Sequence, residues 1–541
     1  MLFRRLFSNY KILTNTIIFL ICCLYTGSWS VLLGEDINWD LKNYHFYNPY
    51  AFLNDKLSFD YAPAMIQTYN NPLVDFFNYW LIQNFKPIQV GFIIGAMQGL
   101  NLFILYLIIK KMFAHYPVVF KEILIVAACI MGFYAAGNMS EIGTTFGDNI
   151  VSLFVLFPLF LLINHIIDNY KEKIIDINFS VLIFAGLIMG MGVGIKLTIA
   201  IYPIAFVLAM AVLAKNFWKY IQMSFTFSLS VFAGFILSIG YWMLILWDKF
   251  QNPLFPYFNK FFKSPYYSFA NFTDKRFLPD DILQTLFYPF YFTRLQNYTS
   301  EFFFKDKHLT LCYIMIICFI VFVVYKFIRG KKNQGNTLVQ ENPNLRISLF
   351  IISFYVLSYI FWQSLFSIYR YIVVLEFLSP LLVFVILDTF SISKKFAVVI
   401  FVIISYISYS SVVTMDWGRL PWTDSYFGVE VPKVKNLEKS NIIIGGHEPI
   451  AYIVPFFPKT TRFLRVEGNM SNLRDTTKFQ EEIKYHIDHA QSNYILLYGM
   501  NKRSIEDFQQ NFSVTVDSTN CTYFKTRLDK DLCLCAFLKN N

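Results

Sequence analysis

Apolar stretches recur along this chain at roughly residues 14–33, 88–109, 122–138, 150–167, 179–195, 197–214, 222–246, 309–328, 347–363, 371–390 and 396–414. A helix needs about 20 apolar residues to cross a hydrocarbon layer about 30 Å thick. So many stretches exceed what the interior of a water-soluble domain can bury. They predict an α-helical polytopic membrane protein with about eleven transmembrane helices. Only 15% of the 541 residues are charged, against about a quarter in soluble domains. Aromatics reach 19%, as suits rings placed at the headgroup level. The boundaries are least defined around Lys196, which splits one long apolar region into two short spans.

Basic residues orient the spans. The chain starts with Arg4, Arg5 and Lys11, then runs apolar from Thr14 to Leu33 through Cys22 and Cys23. No small-x-small cleavage pattern follows, so this run reads as a retained signal anchor. With the N-terminus cytoplasmic, the inner segments carry Lys110/Lys111/Lys121, Lys171/Lys173, Lys215/Lys219, Arg329/Lys331/Lys332/Arg346 and Lys394/Lys395. The outer turns at 140–149 and 362–367 carry no Lys or Arg. This is the positive-inside bias. The net charge of +10 is therefore a topology signal and does not call for nucleic acid.

Three polar segments exceed a simple connection, and all fall on the outer side: loops 34–87 and 247–308 and the C-terminal stretch 415–541. Loops this long are usually functional, so the working surface should face outward. The expected division is a transmembrane domain, 1–414, and a small extracytoplasmic α/β domain, 415–541. Within the latter, Asn441–Ile444 and Asn493–Leu497 have buried-strand patterns, Asp475–Ala490 reads as a helix and Asp531–Leu538 as a last strand. Cys521, Cys533 and Cys535 lie there and could supply one disulfide in an oxidising compartment. Residues 331–345 read as a polar cytoplasmic linker. His45 and His447 lie outside any His/Cys cluster, so no zinc site is expected, and no P-loop glycine pattern occurs.

The first outer loop opens Gly34-Glu35-Asp36-Ile37-Asn38-Trp39-Asp40-Leu41-Lys42-Asn43-Tyr44. Three carboxylates directly follow a membrane helix, where partial loss of water makes a carboxylate a stronger general base. The plain alternative is a set of polar residues where a helix leaves the bilayer. The loop continues through Asp60-Tyr61-Ala62-Pro63 to Tyr69-Asn70-Asn71-Pro72-Leu73 and Phe76-Phe77-Asn78-Tyr79-Trp80. This order resembles the GT-C superfamily, membrane glycosyltransferases that use polyprenyl-phosphate sugars. Protein mannosyltransferases and the aminoarabinose transferases of lipid A are members. In that family the loop carries an acidic motif, often Asp-Glu, and then a Lys-Pro-Pro-Leu-like segment. Asp40-Leu41 stands where the acidic pair would be and Asn70-Asn71-Pro72-Leu73 where the second segment would be. The departure is that Asp40 has no acidic neighbour, while Glu35-Asp36 forms a pair four residues earlier. Asp40 fits the spacing to Tyr44 and Pro72-Leu73 better, with Asp36 the runner-up.

The resemblance assigns further candidates. Glu141 and Asp148, in the outer turn between the third and fourth spans, would orient the acceptor or hold a divalent cation (magnesium or manganese). Otherwise Asp148 caps the fourth span and Glu141 sits in an ordinary polar turn. Lys196, after the glycine-rich run Gly186…Gly194, would bind the donor phosphate, or else snorkel at a helix end. Arg370 in Tyr369-Arg370-Tyr371 would bind phosphate or pair with the intramembrane Glu376. Asn252-Pro253-Leu254-Phe255-Pro256 reads as stiff scaffold, and Arg276 as a solvated charge.

The expected activity is transfer of a sugar from a polyprenyl-phosphate donor to a glycan, lipid or protein acceptor on the non-cytoplasmic face, beside membrane lipids. A transporter or lipid flippase for an envelope glycan precursor is the alternative, but no internal repeat and no clear set of midplane charges supports it. A non-catalytic assembly protein with an outer sensory domain is the third. Scarce Gly and Ala with abundant Phe, Ile, Asn and Lys suggest an AT-rich genome. The expected location is therefore a bacterial inner membrane.

Overall fold

The computed structural model describes residues 2–169, 177–330, 343–390, 392–499 and 502–540. The inner-loop residues Lys171, Lys173, Lys331 and Lys332 and most of the 331–345 linker lie outside them. The chain folds as two compact units, each built from separate stretches of sequence: 1–33, 92–238 and 274–417 form one, and 34–91, 239–273 and 418–541 the other.

The first unit is helical. Each of the eleven apolar stretches carries helix. Among the described residues seven helices are long and apolar enough to cross a membrane: Ile12–Leu33, Pro87–Met112, Asp148–Asn169, Phe217–Phe250, His308–Arg329, Leu345–Leu365 and Tyr369–Thr389. Val118–Phe133, Phe179–Ile195, Leu197–Val212 and Lys394–Tyr409 are shorter, so length alone does not reach the count of eleven crossings. In the most apolar 18-residue window of each, 89% of Tyr369–Thr389 is buried inside the protein, against 17% of His308–Arg329 and 22% of Ile12–Leu33. Helices Val118–Phe133, His308–Gly330, Pro343–Leu365 and Lys394–Tyr409 pack around Val373–Thr389. A helix apolar on all sides belongs in such a core or in lipid.

The glycines of Phe179–Ile195 have a packing role. A Cβ on Gly190 would lie 2.0 Å from the Val231 carbonyl oxygen, and one on Gly234 2.1 Å from that of Leu187. The two helices therefore meet at backbone distance, a contact only small residues allow.

The second unit holds a five-stranded sheet in the order β2-β1-β3-β5-β4, with β1 Ser440–Ile444, β2 Arg462–Arg465, β3 Ser492–Tyr498, β4 Val514–Phe524 and β5 Leu532–Lys539. Strands β2, β1 and β3 run parallel, while β5 is antiparallel to both β3 and β4. The helix anticipated from Asp475 starts at Lys478 and ends at His489. Asp475 instead closes a turn, with its carboxylate accepting the Asn472 N–H at 2.7 Å.

The first outer loop is part of this unit. Tyr61 pairs in parallel with Leu464: the Tyr61 N–H donates to Phe463 O at 2.8 Å and the Arg465 N–H to Tyr61 O at 2.9 Å. Buried Asp60 accepts the Phe463 N–H at 2.9 Å, the Tyr47 hydroxyl at 3.1 Å and Lys56 Nζ at 3.3 Å. Burial pushes its carboxyl up to about 6, against the pull of Lys56. Asn252 and Asn259 pin the proline-rich segment by bonding its carbonyls, Asn252 at Tyr257 and Asn259 at Ser264, Tyr267 and Ser268.

Cys521 and Cys535 form a disulfide between β4 and β5, and Cys533 is free and buried. Closing a loop of that size restricts the unfolded chain by about 3 kcal/mol. The double variant Cys521→Ser/Cys535→Ser should lose about that much stability in the sheet. Denaturant-dependent hydrogen exchange of β4 and β5 reads it. Equal exchange in the oxidised protein and the double variant would refute it.

Candidate active site

Every residue from 135 to 149 is buried. The outer turn in which the sequence placed the candidates Glu141 and Asp148 is an interior segment of the first unit. Its backbone polar groups must find protein partners, and two carboxylates supply three of them. Asp306 Oδ2 accepts the Ala136 N–H at 2.8 Å, Glu376 Oε1 that of Gly137 at 2.8 Å and Glu376 Oε2 that of Asn138 at 2.7 Å. Asp306 Oδ1 also accepts the backbone N–H of His308 at 2.6 Å and lies 2.8 Å from its Nδ1, while His308 Nε2 is 2.7 Å from Met131 O. The costly intramembrane Glu376 thus has both oxygens committed to backbone. The sequence hinted at a partner but pointed to Arg370.

The segment's other end is held likewise. Gln98 Nε2 donates to Glu141 O at 3.2 Å and Gln98 Oε1 accepts the Gly143 N–H at 2.7 Å. Asn149 Nδ2 donates to Asn138 O at 3.1 Å, and Asn101 Nδ2 to Asn149 O at 2.6 Å. Gly147, at φ +82°, turns the chain into Asp148–Val151.

Within this frame lie four of the sequence candidates. Asp148 does not cap its helix with its side chain; its Oδ1 pairs with Lys196 Nζ at 2.5 Å. Lys196 Nζ also donates to Phe146 O at 3.2 Å and sits 5.3 Å from the centre of the Tyr371 ring. The Arg370 guanidinium lies over the Phe146 ring at 4.7 Å and the Tyr371 ring at 5.3 Å. Glu141 is fully buried, and neither of its carboxylate oxygens, nor Asp148 Oδ2, has a hydrogen-bond partner among the described residues. Burial, and then the Asp148 charge, push the Glu141 carboxyl well above its ordinary range, with Lys196 and Arg370 pulling the other way. Several backbone groups of the segment are thus paired, while among the described residues the Glu141 carboxylate has neither oxygen bonded. Among the described residues no group of three or more His, Cys, Asp and Glu is placed to hold a metal.

The other two candidates lie in the second unit. Asp36 is buried and accepts Asn38 Nδ2 at 2.7 and 2.9 Å. Asn38 Oδ1 in turn accepts the Leu41 N–H at 2.9 Å. Asp40, also buried, precedes a π-helical turn, Leu41–His45, and its Oδ2 accepts the Tyr44 hydroxyl at 3.2 Å. Such turns concentrate at functional sites. The next residue, His45, presents Nδ1 to Asp75 Oδ1 at 2.6 Å. Asn70 and Asn71 accept the hydroxyls of Tyr257 at 3.4 Å and Tyr241 at 2.7 Å. Arg276 remains an exposed charge paired with Asp274 at 2.7 Å. The sequence missed Asp306, His308 and the His45–Asp75 pair. Asp306-Lys307-His308, placed directly before a span, was the available signal.

A Cβ on Gly137 would lie 2.9 Å from Glu376 Oε2. Gly137→Ala should displace the carboxylate, leave buried N–H groups unpaired and cost about 1–3 kcal/mol. A melting temperature equal to that of the parent would count against this anchoring. Glu141 adds a pH signature. Because its folded-state pKa is raised, its contribution to stability is complete below the ordinary carboxylate value of 4.5 and is lost as pH rises. Glu141→Gln does not titrate, so its melting temperature should gain on the parent as pH rises above that ordinary value. A pH-independent difference would refute the shift.

No protein-family model matches the chain, and no curated protein matches it in sequence. Solved structures do match in fold. One is ArnT from Cupriavidus metallidurans bound to undecaprenyl phosphate, with a TM-score of 0.50 and 9% identity over 98% of each chain. Another is the apo oligosaccharyltransferase of Archaeoglobus fulgidus, with a TM-score of 0.43 and 11% identity over 89% of this chain and 69% of that one. The chain thus has the fold of ArnT along nearly its whole length.

Proposed function

We propose that the protein is a GT-C-type glycosyltransferase that moves a sugar from a polyprenyl phosphate to an acceptor on the non-cytoplasmic face of the membrane. The observation that carries this reading is the pairing of an ArnT-like fold with a buried, carboxylate-rich stretch directly after the first membrane helix. The ArnT structure holds undecaprenyl phosphate, a donor-side lipid of the class proposed here.

A sugar on a lipid phosphate already carries its leaving group. The acceptor oxygen or nitrogen attacks the anomeric carbon, the bond from that carbon to the phosphate oxygen breaks, and the acceptor's proton needs a base. Asp40, with Asp36 as the alternative, takes that proton. The phosphate departs with negative charge, which Lys196 and Arg370 stabilise. Two of the three Lys196 ammonium hydrogens go to Asp148 and Phe146. A phosphate would take the third.

The open oxygens of Glu141 and Asp148 suit a divalent cation in chemistry, since magnesium binds through one or two carboxylates and keeps several waters. Such a cation would offset the charge of the leaving phosphate. Glu141 otherwise orients the acceptor.

Transfer by the purified protein in lipid tests the reading. Replacing the base by Asn, in Asp40→Asn or Asp36→Asn, should cost about a hundredfold to ten-thousandfold in rate. Lys196→Gln should chiefly raise the KM for the lipid donor. Full activity in both Asp variants would sink the mechanism.

A further inference from the structure

The stretch holding Asp36, Asn38 and Asp40 is pinned on both sides by one turn of the C-terminal sheet. On the N-terminal side, Glu35 pairs with Arg527. On the C-terminal side, Lys42 Nζ lies 2.6 Å from Asp529 Oδ1. The two anchors are two residues apart, in the connection between β4 and β5.

That connection is internally fixed. The Thr526 N–H donates to Asp529 O at 2.8 Å, and the Asp529 N–H to Thr526 Oγ1 at 2.8 Å. Phe524 pairs with Leu532 where the strands open into the turn, and the Cys521–Cys535 disulfide ties the same two strands further down. Asp529 Oδ2 accepts the Tyr452 hydroxyl at 2.6 Å, so both of its oxygens are engaged. Arg527 also donates to the carbonyls of Pro421 at 2.8 Å and Tyr426 at 3.1 Å. Glu35 exchanges both backbone hydrogen bonds with Leu420, at 2.8 and 3.1 Å. The side chains of Glu35 and Asp529 are 0% and 1% exposed, which puts both pairs where solvent screens little.

The two pairs have opposite polarity, acid on base and then base on acid. A loop seated in the reverse direction would bring like charges together at both ends. The arrangement fixes position and direction at once.

We propose that Arg527 and Asp529 are positioning residues that clamp the Asp36–Asp40 stretch in its working geometry. The clamp rests on the reading that this stretch supplies the base. Neither residue touches the reacting atoms; they act through Glu35 and Lys42, and a base displaced by about 1 Å can lose a hundredfold in rate.

The test uses the full-length protein in lipid with three changes: Lys42→Glu, Asp529→Lys, and the two together. Hydrogen exchange is measured over residues 34–46, and kcat and KM for transfer in parallel. Each single change should speed exchange in that segment about tenfold and lower kcat about a hundredfold, with KM for the lipid donor unchanged. The double change restores the pair with its charges exchanged and should recover both readouts. Should a charge reversal prevent folding, Asp529→Asn and Lys42→Met replace the single changes, and the same losses are expected. Unchanged exchange in the single variants overturns the clamp. So does faster exchange with intact kcat, or a folded double variant that recovers neither. If Asp36→Asn and Asp40→Asn both keep full transfer activity, the assignment of the base fails, while the exchange measurement still decides whether the clamp holds the loop.

Discussion

In a buried interior a backbone N–H needs a hydrogen-bond partner, and in the helical unit two carboxylates answer three in a row. Asp306 and Glu376 seat the start of helix Ala136–Glu141, and the segment through Asn149 takes its course from that seat. Gly137 is required for the fit, since a side chain there would meet the Glu376 oxygens. Buried charge is expensive. Its cost is met here by hydrogen bonds that also give the segment one conformation, while the Glu141 carboxylate has no hydrogen-bond partner among the described residues. An electrostatic site is most effective when its dipoles are fixed before the substrate arrives.

The helical part of the fold was written plainly in the sequence, because a run of apolar residues at membrane length has few other solutions. The strands Ser440–Ile444, Ser492–Tyr498 and Leu532–Lys539 were also legible, being short apolar runs between polar ones. Strand β4 was not, because half of it faces outward and its residues Asp517-Ser518-Thr519-Asn520 read as a loop. Strand β2, only four residues long, carries an arginine at each end. Arg465 is buried there by giving its guanidinium to the carbonyls of Pro63, Gly446 and Glu448. No local pattern announces such an arrangement.

Among the site candidates, type and neighbourhood could be read but partners could not. Asp148 was recognised as a special acid, yet capping was as good an explanation until Lys196 was found beside it. Glu376 needed a partner, and the sequence offered the nearest cation. The actual partners are backbone groups more than 200 residues away, which periodicity cannot reveal. The three outer segments, read as separate loops and a tail, contribute to one compact unit, because the pairing that joins them is long-range.

That joining bears on how the C-terminal sheet could be handled apart from the rest. The outer side of β2 is taken up by Tyr61, which pairs with it as a surrogate strand. A fragment beginning near residue 418 would expose the bare β2 edge of the sheet, the kind of surface on which other chains assemble. The loop that follows the first membrane helix therefore does for the sheet what a protective edge strand does in a soluble protein. The sheet's solubility is thereby encoded some four hundred residues upstream of the sheet itself.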